Sequence, residues 1–255
     1  MFFDAHIHLC KTQTPKIENW ACIATFCFKN EWIDFFKNDE KNQNVFTSFG
    51  VHPQLPSEFD FSQTQNELDF LKTLLEKNAI FAIGEIGFDF FTQKFKETKD
   101  AQEKLWKEQI SLAIEYEKPV VIHCRKAIER VFRDCAILKK LPAVIFHSFG
   151  GNEKDAKSIL NRGVNAFFSF GKHQIFNEKK ATISFLNERK SFENRIFFET
   201  DAPYQTLKGE EKTFAREIVN VYKKANEIAD ENWEEKTKNA AKKLFADCGV
   251  DFFAN

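Results

Sequence analysis

Several residue types are scarce in this 255-residue chain: methionine occurs once, tyrosine three times, proline six times and glycine nine times. No apolar run approaches the roughly 20 residues a helix needs to cross a bilayer. The chain opens directly on a strand-like run, without a basic, apolar, cleavable leader. Cys10, Cys22, Cys27, Cys124, Cys135 and Cys248 form no CxxC pair, which favours buried thiols in a reducing compartment over a disulfide framework. Charge of one sign is missing too. With a net charge of -1 no global field draws in a polyanion, so a nucleic-acid substrate would have to be attracted locally, by metals and a few Lys or Arg.

Phenylalanine is the exception, with 31 occurrences. Compositional bias filling core positions explains that number better than an aromatic binding surface does.

Strand-like and helix-like runs alternate along the whole chain, with no repeat or linker, which points to parallel strands in an α/β fold. The strands are expected at Phe2–His8, Cys22–Phe28, Val45–Val51, Ile80–Glu85, Val120–His123, Ala143–His147, Ala166–Phe170 and Ile196–Asp201. Eight strands close a (β/α)8 TIM barrel, and the chain length suits one. Between them apolar residues recur at helical spacing: Leu68, Leu71 and Leu75; Trp106, Ile110, Ala113 and Ile114; Ile128, Val131, Phe132 and Cys135. Phe214, Ile218, Val221, Tyr222 and Ala225 make a further stripe, and Trp233, Thr237, Ala240, Ala241 and Leu244 the last. Such stripes pack against a barrel. One barrel domain over residues 1–255 is expected, monomeric, cytoplasmic and without a membrane partner.

Metal-binding side chains stand at the far ends of these runs: His6 and His8, Glu85, His123, His147 and Asp201. Ligands on successive parallel strands converge at the C-terminal mouth of a barrel, and mixed imidazoles and carboxylates suit a divalent cation. Alternation puts Phe2, Asp4, His6 and His8 on the lumen side of the first strand, and Phe3, Ala5, Ile7 and Leu9 on the helix side. Glu85, between Gly84 and Gly87, has room to bridge two cations. Asp201 ends the strand beside the first one and should reach His6 and His8. Glu199, one layer deeper, is placed to orient a ligand imidazole. Asp4 lies at a similar depth, where it either does the same or is a hydrogen-bonded structural group. His52, in Gly50-Val51-His52-Pro53, either touches substrate or is held in a proline turn. Arg125 follows His123 by two residues and is a candidate phosphate contact, while His173 reads as a surface residue.

Together these stretches resemble the TatD family of metal-dependent hydrolases. Phe3-Asp4-Ala5-His6-Ile7-His8-Leu9, Gly50-Val51-His52-Pro53, Gly84-Glu85-Ile86-Gly87 and Ile122-His123-Cys124-Arg125 look like its successive motifs. His147-Ser148-Phe149-Gly150-Gly151, Glu199-Thr200-Asp201-Ala202-Pro203 and the closing Thr237–Phe245 stretch continue the match. The resemblance implies two divalent ions, one on His6, His8, Glu85 and Asp201, the other on Glu85, His123 and His147. It also implies deoxyribonuclease activity, often trimming from the 3′ end. Three departures fall on the substrate side. Cys10 stands where the family often has Asp, Phe88-Asp89-Phe90-Phe91 replaces a Leu-Asp-Tyr-Tyr pattern, and Lys208-Gly209-Glu210-Glu211 occupies the place of an Arg-Asn-x-Pro element.

The expected activity is therefore phosphodiester hydrolysis by metal-activated water, with Asp201 as general base and Glu85 shared between the ions. Mg²⁺, Mn²⁺ and Zn²⁺ all suit the donor set. Two rivals stand beside it. The same site could hydrolyse a small amide, lactone or ester, since fold and ligands do not choose the electrophile. A non-catalytic metal-holding protein is the other, though structural zinc prefers closed, cysteine-rich shells.

Overall fold

A computed structural model, describing residues 1–12, 14–38, 44–55 and 61–252, has eight parallel strands that close in sequence order into a barrel. They are β1 (Phe2–Ile7), β2 (Trp20–Phe26), β3 (Val45–Phe49), β4 (Ala82–Asp89), β5 (Val120–Arg125), β6 (Val144–Phe146), β7 (Ala166–Gly171) and β8 (Ile196–Glu199). Closure is made where Asp4 pairs with Phe198. This is the (β/α)8 barrel expected from the alternation.

The strands are buried on both faces, as parallel strands beneath helices must be. Phe3, Ala5, Ala21, Ile23, Val121, Ile145, Phe167 and Phe197 pack together in the lumen, and Phe245 of the final helix Trp233–Asp247 joins them. The opposite strand faces carry Cys22, Ala24, Ile122, Phe146, Phe168 and Phe198, which meet the helical stripes. Each fully buried Leu, Val, Ile or Phe on these stripes contributes about 1.5–3 kcal/mol. Phe214 does not join its stripe: it precedes the helix Ile218–Ala229 and is 36% exposed. Among the described residues no helix is long and apolar enough to cross a membrane.

Two strands break the simple alternation. From Asp4 to Ile7 three steps of β1 are matched by two steps of β2, Cys22 to Ala24. Such a bulge reverses the facing of everything beyond it. Phe3 and Ala5 therefore line the lumen, and His6 follows Ala5 on the same side. The expectation for Phe2, Asp4, Phe3 and Ala5 is corrected accordingly, while His6, Ile7 and His8 face as alternation placed them. Asp4 is fully buried on the helix side, where Thr200 donates to it through N (3.0 Å) and Oγ1 (2.7 Å). Burial raises its pKa to about 7, against the pull of these hydrogen bonds. It ties β1 to the end of β8.

In β4 three steps from Ile83 to Ile86 match two in β5, Val120 to Ile122. Ile83 and Ile86 both pack on the helix side, and Glu85 is left facing the lumen. The Gly84–Glu85 peptide within this bulge is cis. A Cβ on Gly84 would stand 2.6 Å from Val121 Cβ, so only glycine fits. β4 then runs on to Asp89, four residues past the end expected from the sequence.

Candidate metal centre

Three groupings among the described residues could hold a cation: His6, Glu85 and His147; His6, His8 and Asp201; and His52, Glu85 and His123. They share members and form one buried cluster at the C-terminal mouth. His6 Nε2 lies 3.1 Å from Glu85 Oε2 and 3.6 Å from Asp201 Oδ1, and His8 Nε2 lies 3.5 Å from the same Asp201 oxygen. His147 Nε2 is 3.6 Å from Glu85 Oε1 and 3.9 Å from Asp201 Oδ2. The structure thus brings together all six ligand candidates.

His6 shows how the donor set fits a cation. Its Nδ1 is 3.2 Å from Thr25 Oγ1, which fixes the ring, and its buried Nε2 faces two carboxylates without a hydrogen-bond partner. A ring nitrogen presented in this way is a ready ligand. The electrostatics agree. Burial opposes a charge on His6, yet Glu85, Asp201 and Glu199 outweigh it and raise its pKa to about 9. Burial likewise opposes the Glu85 charge, but His147, His52, His6 and His123 hold its pKa well below the usual carboxylate range. Carboxylates crowded this closely call for positive charge, and a bound divalent cation would supply it while displacing ring protons.

Asp201 reaches this cluster from beyond the end of β8. It takes a left-handed conformation (φ 51°), which Asp tolerates better than most residues, and its N–H donates to the His6 carbonyl at 3.0 Å. Glu199 Oε1 lies 2.8 Å from His147 Nδ1 and accepts from Ser148 N (2.9 Å) and Ser148 Oγ (2.6 Å). It holds the ring whose other nitrogen faces the centre. His123 is held between two carboxylates, with Nδ1 2.5 Å from Glu85 Oε1 and Nε2 3.0 Å from Asp89 Oδ2. His52 Nε2 stands 3.3 Å from Glu85 Oε1, while its Nδ1 accepts the Gln54 N–H at 3.1 Å. Arg125 points Nη1 to within 3.8 Å of Asp89 Oδ2, and its guanidinium lies 4.0 Å from the Phe91 ring centre. His173 is exposed at the rim.

Sequence reasoning passed over three groups. Asp89 is fully buried and accepts from Gln54 Nε2 (2.8 Å) and the Phe91 N–H (2.8 Å) besides touching His123. The alternation Glu85, Gly87, Asp89 was the available signal, had β4 been carried past Gly87. Gln205 sends Nε2 to Ser148 Oγ, to Asp201 Oδ2 (3.3 Å) and to Glu199 Oε1 (3.4 Å). Lys172, 1% exposed, pairs with Glu210 (2.5 Å) and Glu217 (2.6 Å), anchoring the segment that departs from the family pattern after Tyr204. The whole mouth opens into a cavity of about 1110 Å³, at or above the upper end for small-ligand sites.

A family model described as TatD related DNase matches residues 3–246. The uncharacterized metal-dependent hydrolase YabD of Bacillus subtilis (strain 168) is 28% identical over 265 residues, spanning 96% of this chain and 99% of its own. A 3′-5′ ssDNA/RNA exonuclease TatD from Pantoea ananatis is 32% identical over 165 residues, which are 62% of this chain and 58% of that protein. Among solved structures, the TatD homologue YJJV of Escherichia coli K12 superposes with a TM-score of 0.78 at 19% identity, covering 98% of both chains, which shows the shared fold. The family model takes in nearly the whole barrel and every residue of the cluster, and the chain belongs to the family of TatD-related DNases.

Proposed function

We propose that this chain is a divalent-metal-dependent nuclease that holds two ions at the barrel mouth and removes nucleotides from the 3′ end of single-stranded DNA. The observation that carries the reading is the division of Glu85. Its Oε2 faces His6 (3.1 Å), while its Oε1 faces His123 (2.5 Å) and His147 (3.6 Å). One carboxylate between two histidine sets is suited to two ions, one with His6, His8 and Asp201, the other with His123 and His147. Mg²⁺, Mn²⁺ and Zn²⁺ are all compatible with these donors. When bound, the ions would acidify water and offset negative charge developing on the phosphoryl and leaving oxygens.

The remaining roles belong to the chain's own atoms. In the metal-free cluster burial opposes the Asp201 charge, but His147, His8 and His6 lower its pKa. Its Oδ2, approached by Gln205 Nε2, accepts the proton of the attacking water. His52 accepts at Nδ1, so its neutral ring carries the proton on Nε2, where it positions substrate or donates to the leaving oxygen. Arg125, 45% exposed beside the centre, meets a phosphate. The relative named as a 3′-5′ ssDNA/RNA exonuclease supports the choice of a nucleic-acid substrate.

Chelator-stripped protein, incubated with 5′-labelled single-stranded DNA and in parallel with a panel of amides, lactones and small esters, tests the reading. A ladder shortening from the 3′ end on addition of Mg²⁺, Mn²⁺ or Zn²⁺ is expected. Hydrolysis confined to the small substrates would transfer the site to carbonyl chemistry, and no hydrolysis would leave only a metal-holding role.

A further inference from the structure

Phenylalanine fills this core, yet seven large apolar side chains among the described residues are exposed, and three of them, Phe28, Phe91 and Tyr204, line one cavity. Phe28 and Phe91 are each 56% exposed, and Tyr204 is 46% exposed. A patch of that kind beside a reactive centre marks a binding surface.

All three rings stand on backbone tied to the centre. Phe91 N donates to Asp89 Oδ1, and the other oxygen of that carboxylate touches His123. The Cys27 and Phe28 N–H groups both donate to Glu31 Oε2, at 3.1 and 3.3 Å. Glu31 Oε1 pairs with Lys11 Nζ at 3.0 Å, and Lys11 donates to the Tyr204 hydroxyl, also at 3.0 Å. Tyr204 N in turn donates to the Asp201 carbonyl at 2.7 Å, and its ring meets His8 edge-on at 5.1 Å. These aromatics are exposed without being loosely placed.

Cations stand among them. The Arg125 guanidinium lies 4.0 Å from the Phe91 ring centre, Lys11 Nζ is 5.5 Å from that of Tyr204, and Lys126 lines the same cavity. Flat apolar rings interleaved with cations match a strand in which bases alternate with phosphates. A duplex hides its base faces inside the stack, so only unpaired nucleotides gain from such walls.

We propose that Phe28 and Phe91 are base-stacking walls that seat the 3′-terminal nucleotides of an unpaired strand at the metal centre, with Arg125 and Lys11 meeting its phosphates. The proposal rests on the nuclease reading and adds a site that selects single strands by their exposed bases. Phe28 and Phe91 would then be exceptions to the core-filling use of phenylalanine elsewhere in the chain.

The test pairs ring removal with base removal. Single-stranded DNA is prepared intact or with an abasic residue at each of the three 3′-terminal positions in turn, and kcat and KM for the first cleavage are measured with Mn²⁺. Wild-type protein should lose about tenfold in kcat/KM, chiefly through KM, when the stacked base is missing. Phe28→Ala or Phe91→Ala should lose a similar factor on intact DNA and then be indifferent to loss of the base that ring contacts. Phe28→Trp should restore the sensitivity. If base loss costs the alanine variants as much as it costs wild-type protein, or if they cleave intact DNA like wild type, the stacking role is overturned. Failure of wild-type protein to cleave intact DNA with any of Mg²⁺, Mn²⁺ or Zn²⁺ would overturn the nuclease reading, and this proposal with it.

Discussion

His6 Nε2 and Glu85 Oε2 stand 3.1 Å apart at the barrel mouth, and each residue arrives there just after, or within, a bulge of its strand. Without the extra residue, alternation continued from the lumen-facing Ala5 and Ala82 would turn His6 and Glu85 toward the helices. The bulges let an apolar lumen below and a polar centre above share the same two strands. Bulges commonly re-aim side chains in this way beside active sites.

Gly84→Ala tests that relationship. The added methyl would stand 2.6 Å from Val121 Cβ and 2.8 Å from the Val121 carbonyl oxygen, so β4 or β5 must move. A stability loss of about 1–3 kcal/mol is expected from the overpacking, together with loss of metal binding as Glu85 is displaced. Urea unfolding and Mn²⁺ titration on the same preparation would check both.

Asp4 separates a structural carboxylate from a ligand-orienting one. Asp4→Ala leaves the buried Thr200 N–H and hydroxyl without their acceptor, at a cost of roughly 2–3 kcal/mol. Asp4→Asn keeps an acceptor and should recover most of that. Because Asp4 faces the helices, Asp4→Asn should also escape the roughly 10–100-fold loss of metal affinity that follows mutation of an orienting residue. Such a loss would place Asp4 back among the groups supporting the centre.

How much of this was legible follows from where alternation holds. The six ligand candidates end apolar runs, and strand ends at a barrel mouth converge whatever their exact register. Asp4 was placed on the wrong face because a bulge leaves no mark in hydropathy. Asp89 was passed over because β4 was expected to end at Glu85, and Gly87, whose φ of 138° and missing Cβ let the strand run close against the His123 carbonyl, reads as a break beyond it. Gln205 and Lys172 act through chain-distant partners, Ser148 and Glu217 among them, and no local pattern announces such contacts.

Gln205→Leu removes the amide that approaches Asp201 Oδ2 while filling similar space. A fall of roughly tenfold in kcat is expected, within the up to 100-fold cost of a misplaced catalytic group, with KM for DNA little changed. Steady-state kinetics on the labelled oligonucleotide would show it; a change confined to KM would mean that Gln205 contacts substrate instead.

Lys172→Met leaves Glu210 and Glu217 facing each other without their shared cation. Both carboxylates are partly solvated, so the loss should be about 2 kcal/mol, less than the 3–5 kcal/mol typical of a fully buried pair broken on one side. Greater proteolytic nicking between Pro203 and Phe214, compared with wild type, is the accompanying sign that the segment after β8 has come loose.

The shared position of Glu85 is tested most directly by counting ions. Wild-type protein and Glu85→Ala, each stripped with chelator and re-equilibrated with Mn²⁺, would be compared for metal bound per chain, DNA cleavage and far-ultraviolet circular dichroism. Two ions per wild-type chain are expected, with both sites weakened and cleavage abolished in Glu85→Ala while the dichroism is unchanged. A folded Glu85→Ala variant that kept the wild-type metal content and full turnover would contradict the account.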